Sequence, residues 1–439
     1  MSRDHTLSLR TAIARISRDT RGASAAMVAI ALPSLIGFGA LGTEAGLWYT
    51  LKLRSQYAAD AAAISAAYEV LAAKTNVASD LIPVAGEAAA QNGYAGTPAV
   101  TYPYSDSIVS NGVAVTLQQT QSALLASMFL SDVTIATKAV AVIEVLDNPC
   151  ILALAPNGTG VAVNGRLDMP NCSVAANSIG MNAINLQSNT SSIAAETLVT
   201  AGEVSFQGNP INPAAPPSEF ILTSQPMIGA PSIANPYAGT LTHTFLTTGM
   251  PTAGSCKSST RGSVKTFSKA NCVIAGLSIK TGQTVDLVPG TYWITGNLII
   301  GSSGVLKCPT CDDVKGVTII LIAHNNKIGS VTMASNATLN LNAPSSGPFA
   351  GLVFVQDPNG LPNGTSAFGM APGSTLNGLV YFPNSSMTFQ GNPSATGPKC
   401  LLLVVSTLAV NGSSSLETVG CASAGLTQLP TVNTVALAE

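Results

Sequence analysis

Between Ala23 and Gly42 the chain carries no charged residue, and these 20 residues at helical rise cover about 30 Å, the thickness of a hydrocarbon core. One membrane crossing is the natural reading. Before the run stand Arg3, Arg10, Arg15, Arg18 and Arg21 against Asp4 and Asp19, while Lys52 and Arg54 are the near cations beyond it. This bias predicts a cytoplasmic N-terminus, with everything past Glu44 on the far side of the inner membrane. Pro33 and the glycines at 37, 39 and 42 are tolerable in a helix within lipid. Two other readings compete: a cleaved signal peptide, whose apolar core is usually shorter, and a buried soluble helix.

The segment after the run is built differently. From Leu51 to Lys74 alanine dominates, with Tyr57, Ile64, Tyr68 and Leu71 at helical spacings. The pattern predicts an amphipathic helix that continues out of the membrane as a stalk. Its small alanine face suits close packing, either onto its own domain or against another helix. From Val100 to Ile143 the pattern changes to period two, in "VAVTLQQ" and "VTIATKAVAVIEV", with turn residues from Asp106 to Gly112. These strands are expected to pack on a helix around Glu87 to Gln91 and on "SALLASMF", making a small α+β module.

The ordered features Arg21-Gly22, apolar span, Glu44-Ala45-Gly46 and Gln56 to Ala63 resemble the N-terminal segment of TadG-like proteins of the tight-adherence (Flp) pilus system. The resemblance covers about residues 18–145. It implies a pilus-assembly role, with the inner membrane and other pilus-assembly proteins as partners. Prepilin-type cleavage after Gly22 is not expected, because Met27 stands where prepilins carry a glutamate.

All eight cysteines follow the apolar run: Cys150, Cys172, Cys256, Cys272, Cys308, Cys311, Cys400 and Cys421. An even number beyond a membrane span suggests disulfides formed outside the reducing cytoplasm, and the spacing suggests pairing between sequential neighbours. Charged residues make up only 9% of the chain, while 40 Gly and 26 Pro accompany abundant Ser, Thr and Asn. That profile suits an exported, turn-rich β protein. Past Cys150 short apolar stretches such as "TYWITGNLII" and "GVTIILIA" alternate with Asn-Gly and Ser-Asn corners at uneven intervals. An all-β region is expected, as a parallel β-helix (β-solenoid) or alternatively a β-sandwich. "GPFAGLVFVQD" and "GLVYFPNSSMTFQGN" also resemble the C-terminal region fused to some TadG-like proteins. The stretch Pro210 to Pro236 reads as an excursion or internal linker. The resulting division is a basic arm over 1–21, a transmembrane helix over 22–43, the stalk and α+β module over 44–148, an exported β domain over 149–425, and a tail over 426–439.

Sites of chemistry are sparse. A net charge of -2 offers no overall case for nucleic acid. Beyond Cys150 the carboxylates are scattered, and only Asp312 and Asp313 are adjacent; they are expected to solvate their loop. His243 and His324 have no acidic or serine motif beside them in sequence, and Cys308-Pro-Thr-Cys311 lacks the partners of a redox or zinc site. No catalytic residue, metal or cofactor is expected, so the chain reads as a structural protein; an exported polysaccharide binder or polysaccharide-degrading enzyme is the alternative. Lys257, Arg261, Lys265 and Lys269 lie between Cys256 and Cys272 with no acid among them. This cationic loop is the one candidate contact for an anionic surface or envelope polysaccharide.

Overall fold

The computed structural model describes residues 20–72, 77–107, 109, 111–123, 132–147, 149–391, 400–415, 421, 424–426 and 430–438. The chain forms two compact units, residues 1–144 with 434–439, and residues 145–433. The arginines at 3, 10, 15 and 18, His5 and most of "SALLASMF" lie outside the described residues.

In the first unit one helix, α1, runs unbroken from Thr20 to Leu71 and contains Pro33. Its first half is exposed: Met27, Ile30 and Phe38 are 69%, 78% and 75% accessible. Thr43 and Thr50 donate their hydroxyls to the carbonyls of Gly39 and Gly46, both at 2.8 Å, so neither needs water. The helix is long and apolar enough to cross a membrane, a criterion that a signal sequence also meets.

Further along α1 the surface reverses. Ala58, Ala59, Ala62, Ala63, Ala66 and Ala67 are fully buried, while Tyr57 and Tyr68 are 64% and 38% exposed. The core face is the alanine stripe, the face whose small side chains suit close packing. It packs within its own unit against the helix α2, Ala78–Gln91, which buries Leu81, Ala85 and Ala89 one turn apart. Methyl side chains on both helices permit close approach of their axes. The other side of the stripe meets a sheet formed by β1, Ala99–Tyr104, β2, Gly112–Ser122, and β3, Asp132–Asp147, paired antiparallel. A fourth strand, Val432–Leu437, lies beside β3. Part of the tail over 426–439 thus joins this sheet.

In the second unit most strands pair in parallel and form three ladders. In the first, Val273, Trp293, Ile320, Val355, Tyr381 and Val404 stand in register, and the row continues through Leu152, Ala175 and Val199. The second runs from Ser278 through Ile299, Thr332, Ala367, Thr388 and Ala409 to Ala162, Asn185 and Ser205. The third has two stretches, Lys265–Val285–Leu306–Leu339 and Leu167–Ile193–Phe220. The chain visits the ladders in the order first, second, third, and repeats.

This order is not the order of the sequence. Pro149–Ala153 begins in the middle of the first ladder, and the chain builds outward to Val199 and its bridge partner Met227. It then resumes at the opposite end near Val273 and builds back until Leu401–Ser415 pairs with Pro149–Ala153 and Val161–Met169. Within the stretch from Pro210 to Pro236, Phe220–Leu222 joins the third ladder and Met227 bridges to Val199 in the first. Residues from Met227 to Leu246 lie against the outer side of the first ladder, where Tyr237, Leu241 and Leu246 cover Val199, Trp293, Ile320 and Tyr381. Asn177 exchanges two hydrogen bonds with Ile233, at 2.8 and 2.7 Å, and the Trp293 indole donates to Leu246 O at 2.7 Å.

Residues from all three ladders contribute to one apolar cluster. Strands such as Leu277–Ile279 and Leu298–Ile300 turn their outer two residues inward and their middle residue outward. Phe368 sits at its centre, with ring centroids 5.3 Å from Phe354 and 5.9 Å from Phe389. Disulfides join Cys150 to Cys172, Cys256 to Cys272, Cys308 to Cys311 and Cys400 to Cys421. Each closes a short loop, so the crosslinks strengthen individual turns of chain rather than tie distant parts together.

Two substitutions test this packing. Ala63→Leu overfills the contact of α1 with α2 and is expected to lower stability by about 1–3 kcal/mol, whereas Tyr57→Ala on the opposite face changes it by less than about 0.5 kcal/mol. Urea unfolding followed by helical circular dichroism reads both. Phe368→Ala is expected to cost the second unit about 3–5 kcal/mol, and Thr332→Ala, on the outward side of the second ladder, less than about 0.5 kcal/mol, measured by thermal unfolding.

Candidate functional site

The Gln56–Ala63 segment contributes two polar side chains one helical turn apart. The Gln56 amide donates to Asp60 Oδ1 at 2.8 Å and to Lys138 O at 3.2 Å, clipping α1 to β3. One residue away Ser55 and Thr137 share a buried hydroxyl pair at 3.0 Å. Across a cleft of about 350 Å³, Lys138 Nζ donates to the Tyr104 hydroxyl at 2.7 Å, which donates to Asp106 Oδ2 at 3.0 Å. The cleft thus has a carboxylate on the helix and a cation on the sheet, with Leu437 and Ala438 also in its wall. Its polar lining comes from Gln56, Asp60, Tyr104, Asp106 and Lys138. The sequence reading noticed Gln56 and Asp60 as a motif but missed Lys138 and Tyr104. Those two come from strands remote in the chain.

In the second unit the cationic residues fall on an antiparallel hairpin, Ser258–Arg261 with Val264–Phe267. Lys257 and Lys269 sit at its base, where Ser268 N donates to Lys257 O at 3.1 Å. Arg261 is at the tip, opposite Val264. Lys257, Arg261 and Lys269 are exposed, whereas Lys265 is half-buried with its ammonium 5.1 Å from the Phe267 ring. The hairpin therefore gathers the four at one end of the third ladder, though they do not share one face.

His243 is not isolated, contrary to its sequence surroundings. Its Nδ1 lies 2.5 Å from Asp357 Oδ2, and that fully buried carboxylate also accepts from Ala323 N at 3.1 Å and Asn359 N at 3.0 Å. The pair helps to hold the short helix His243–Thr247, which is capped by Thr242, against the first ladder. With the partners 114 positions apart in the chain, no local motif could have signalled it. His324 is exposed in a turn closed with Lys327.

Asp312 and three buried tyrosines serve the fold. Backbone N–H groups of Lys315 and Val314 donate to Asp312, at 2.6 and 2.8 Å, and hold its carboxyl below the usual range. Asp312 thus closes the loop after Cys311. Burial pushes the Tyr292 phenol up to about 12, and burial likewise raises Tyr237 and Tyr381. All three stay protonated near neutral pH, as hydrogen-bonding parts of the core.

No curated protein and no solved structure matches this chain. One family model does match, over residues 22–69, which take in the apolar half of α1, Glu44-Ala45-Gly46 and the whole of Gln56 to Ala63: the family described as putative Flp pilus-assembly TadE/G-like.

Proposed function

We propose that the chain is a membrane-anchored structural component of Flp pilus assembly, held in the inner membrane by the first half of α1. The observation that carries this reading is the family match over residues 22–69, which coincides with the one helix that is lipid-like in its first half and alanine-packed in its second. The arginine excess before the span supports a cytoplasmic N-terminus and a periplasmic or surface-exposed remainder. The four disulfides agree with an oxidising compartment.

Residues 149–425, in this reading, form a parallel β-helix presented for contact with other pilus-assembly proteins or the cell envelope. Three parallel ladders visited in a repeating order support that architecture. The role is mechanical rather than enzymatic: the span anchors, α1 and its sheet position, and the disulfide-pinned module presents a surface. The hairpin carrying Lys257, Arg261, Lys265 and Lys269 is a further candidate contact for an anionic envelope polymer.

Fractionation and genetics test the reading together. The chain is expected to pellet with membranes, to resist extraction by alkaline carbonate and to be released by detergent. Protease added to spheroplasts should digest it beyond Glu44. Ile36→Arg, which costs insertion about 2.5–3.5 kcal/mol at a helix centre, should move it into the soluble fraction or cause its loss. Deletion of the chain should abolish assembled pili, with rescue by the wild type and not by Ile36→Arg. Normal pili in the deletion strain, or turnover of a polysaccharide by the purified protein, would overturn the proposal.

A further inference from the structure

Charge is separated along the ladders of the second unit. From Met169 to Cys256 the sequence has no lysine or arginine, and its carboxylates are Glu196, Glu203 and Glu219. From Lys257 to Val285 it has five cations, Lys257, Arg261, Lys265, Lys269 and Lys280, and no carboxylate. Topology turns this order into a spatial one, because the first segment builds one end of the ladders and the second builds the other.

The two ends also match in position. At the cationic end the last strand of the third ladder is Ser258–Arg261, entirely exposed, with its outer edge unpaired among the described pairings. At the acidic end the last strand of the same ladder is Phe220–Leu222, whose Ile221 is 56% exposed. Ser258–Arg261 runs antiparallel to Val264–Phe267, which has the common direction of the ladder. If a second copy continued the ladder, these two edges would therefore meet as an antiparallel pair.

The register then sets which charges face each other. Arg261, opposite Val264, lies at the start of the third-ladder strands, where the other end carries Glu219 next to Phe220. Lys280 lies in the same passage from second to third ladder, between Leu277–Ile279 and Thr284–Asp286. Lys269 lies between Val264–Phe267 and Cys272–Ile274, the passage from third to first ladder. Glu196 occupies that same passage between Ser192–Ala195 and Leu198–Thr200. The first passage brings cation to carboxylate at the two ends, whereas Glu196 lies one layer in, beneath Thr223 and Ser224.

We propose that the second unit binds a second copy of this chain head to tail, the hairpin end of one copy against the Glu219 end of the next. Such a contact is heterologous and does not close on itself unless rotation makes a ring, so it propagates as a file of copies. Opposed charges set orientation, since two like ends repel, and the exposed edge strands add main-chain hydrogen bonds. The inference rests on ladder geometry and charge alone and stands apart from the pilus reading.

The test uses purified full-length protein in detergent, followed by sedimentation velocity. Assemblies larger than the monomer are expected at about 50 mM salt and should dissociate at about 500 mM, where screening shortens the reach of the charges. Glu219→Arg and Arg261→Glu should each weaken assembly by about tenfold or more. An equimolar mixture of the two variants should recover it, because each supplies the end that the other now fits. Recovery distinguishes charge matching from misfolding. A wild type that stays monomeric at low salt, or assemblies unchanged in both variants, would overturn the proposal. So would a monomeric wild type that binds polyglutamate through Arg261, an outcome that assigns the hairpin to an anionic polymer instead.

Discussion

Parallel strands impose the constraint from which the second unit follows. A parallel ladder needs cover on both faces, and each end presents an edge. The first ladder meets the first requirement completely, as Pro149–Ala153, Val317–Leu321 and Leu352–Gln356 are buried at every position. The core lies on one side and residues such as Tyr237, Leu241 and Leu246 on the other. That cover is fastened by polar contacts from Asn177, Trp293 and Asp357. Each pairs a buried polar group whose isolation would be costly. At the edges the solution is different. The hairpin of Ser258–Arg261 presents short polar residues and a cation, which discourage indiscriminate pairing.

The alanine stripe of α1 performs the corresponding task in the first unit. Where a helix packed through leucine stands off by the length of its side chains, this one brings its backbone close to α2 and β2. The hydrogen bonds from Gln56 to Lys138 O and between Ser55 and Thr137 then fix its position along β3. One continuous helix is thus lipid-like in its first half, with large exposed residues, and tightly packed in its second, with small buried ones. That change in residue size answers why the apolar run and the alanine-rich run can share a single element.

What could be read in the sequence was local. The apolar run, β2, β3 and the turn after Asp106 are each written in consecutive residues, and α2 was expected from its last turn alone. The alanine face of α1 is legible in the same way, as a run of small residues at helical spacing, and of its two possible partners the structure shows its own unit. Tyr57 is larger than Ala58 but points to solvent. Strand order in the second unit was not readable, since Val404 pairs with Leu152 across almost the whole unit. His243 with Asp357 and Lys138 with Tyr104 belong to the same class, chemistry assembled by pairing rather than by spacing.

The start of the second unit in mid-ladder has a reason in chain connectivity. The first unit comprises the residues up to Glu144 and resumes at Thr434, so the second is an insertion between β3 and the strand Val432–Leu437. An inserted module disturbs its host least when its two ends are near each other. A stack built in sequence order would put its first and last strands at opposite ends, many strand spacings of about 4.8 Å apart. Here Pro149–Ala153 and Leu401–Ser415 are neighbours, joined through Leu403 with Ile151 and Leu408 with Val161. The crossing of the chain over the first ladder is what this arrangement requires, because strands must be added at one end before the chain can return to the other. Entry and exit in the middle leave both ends of the ladders free of chain connections to the first unit, and those ends are where the carboxylates and the cations have been sorted.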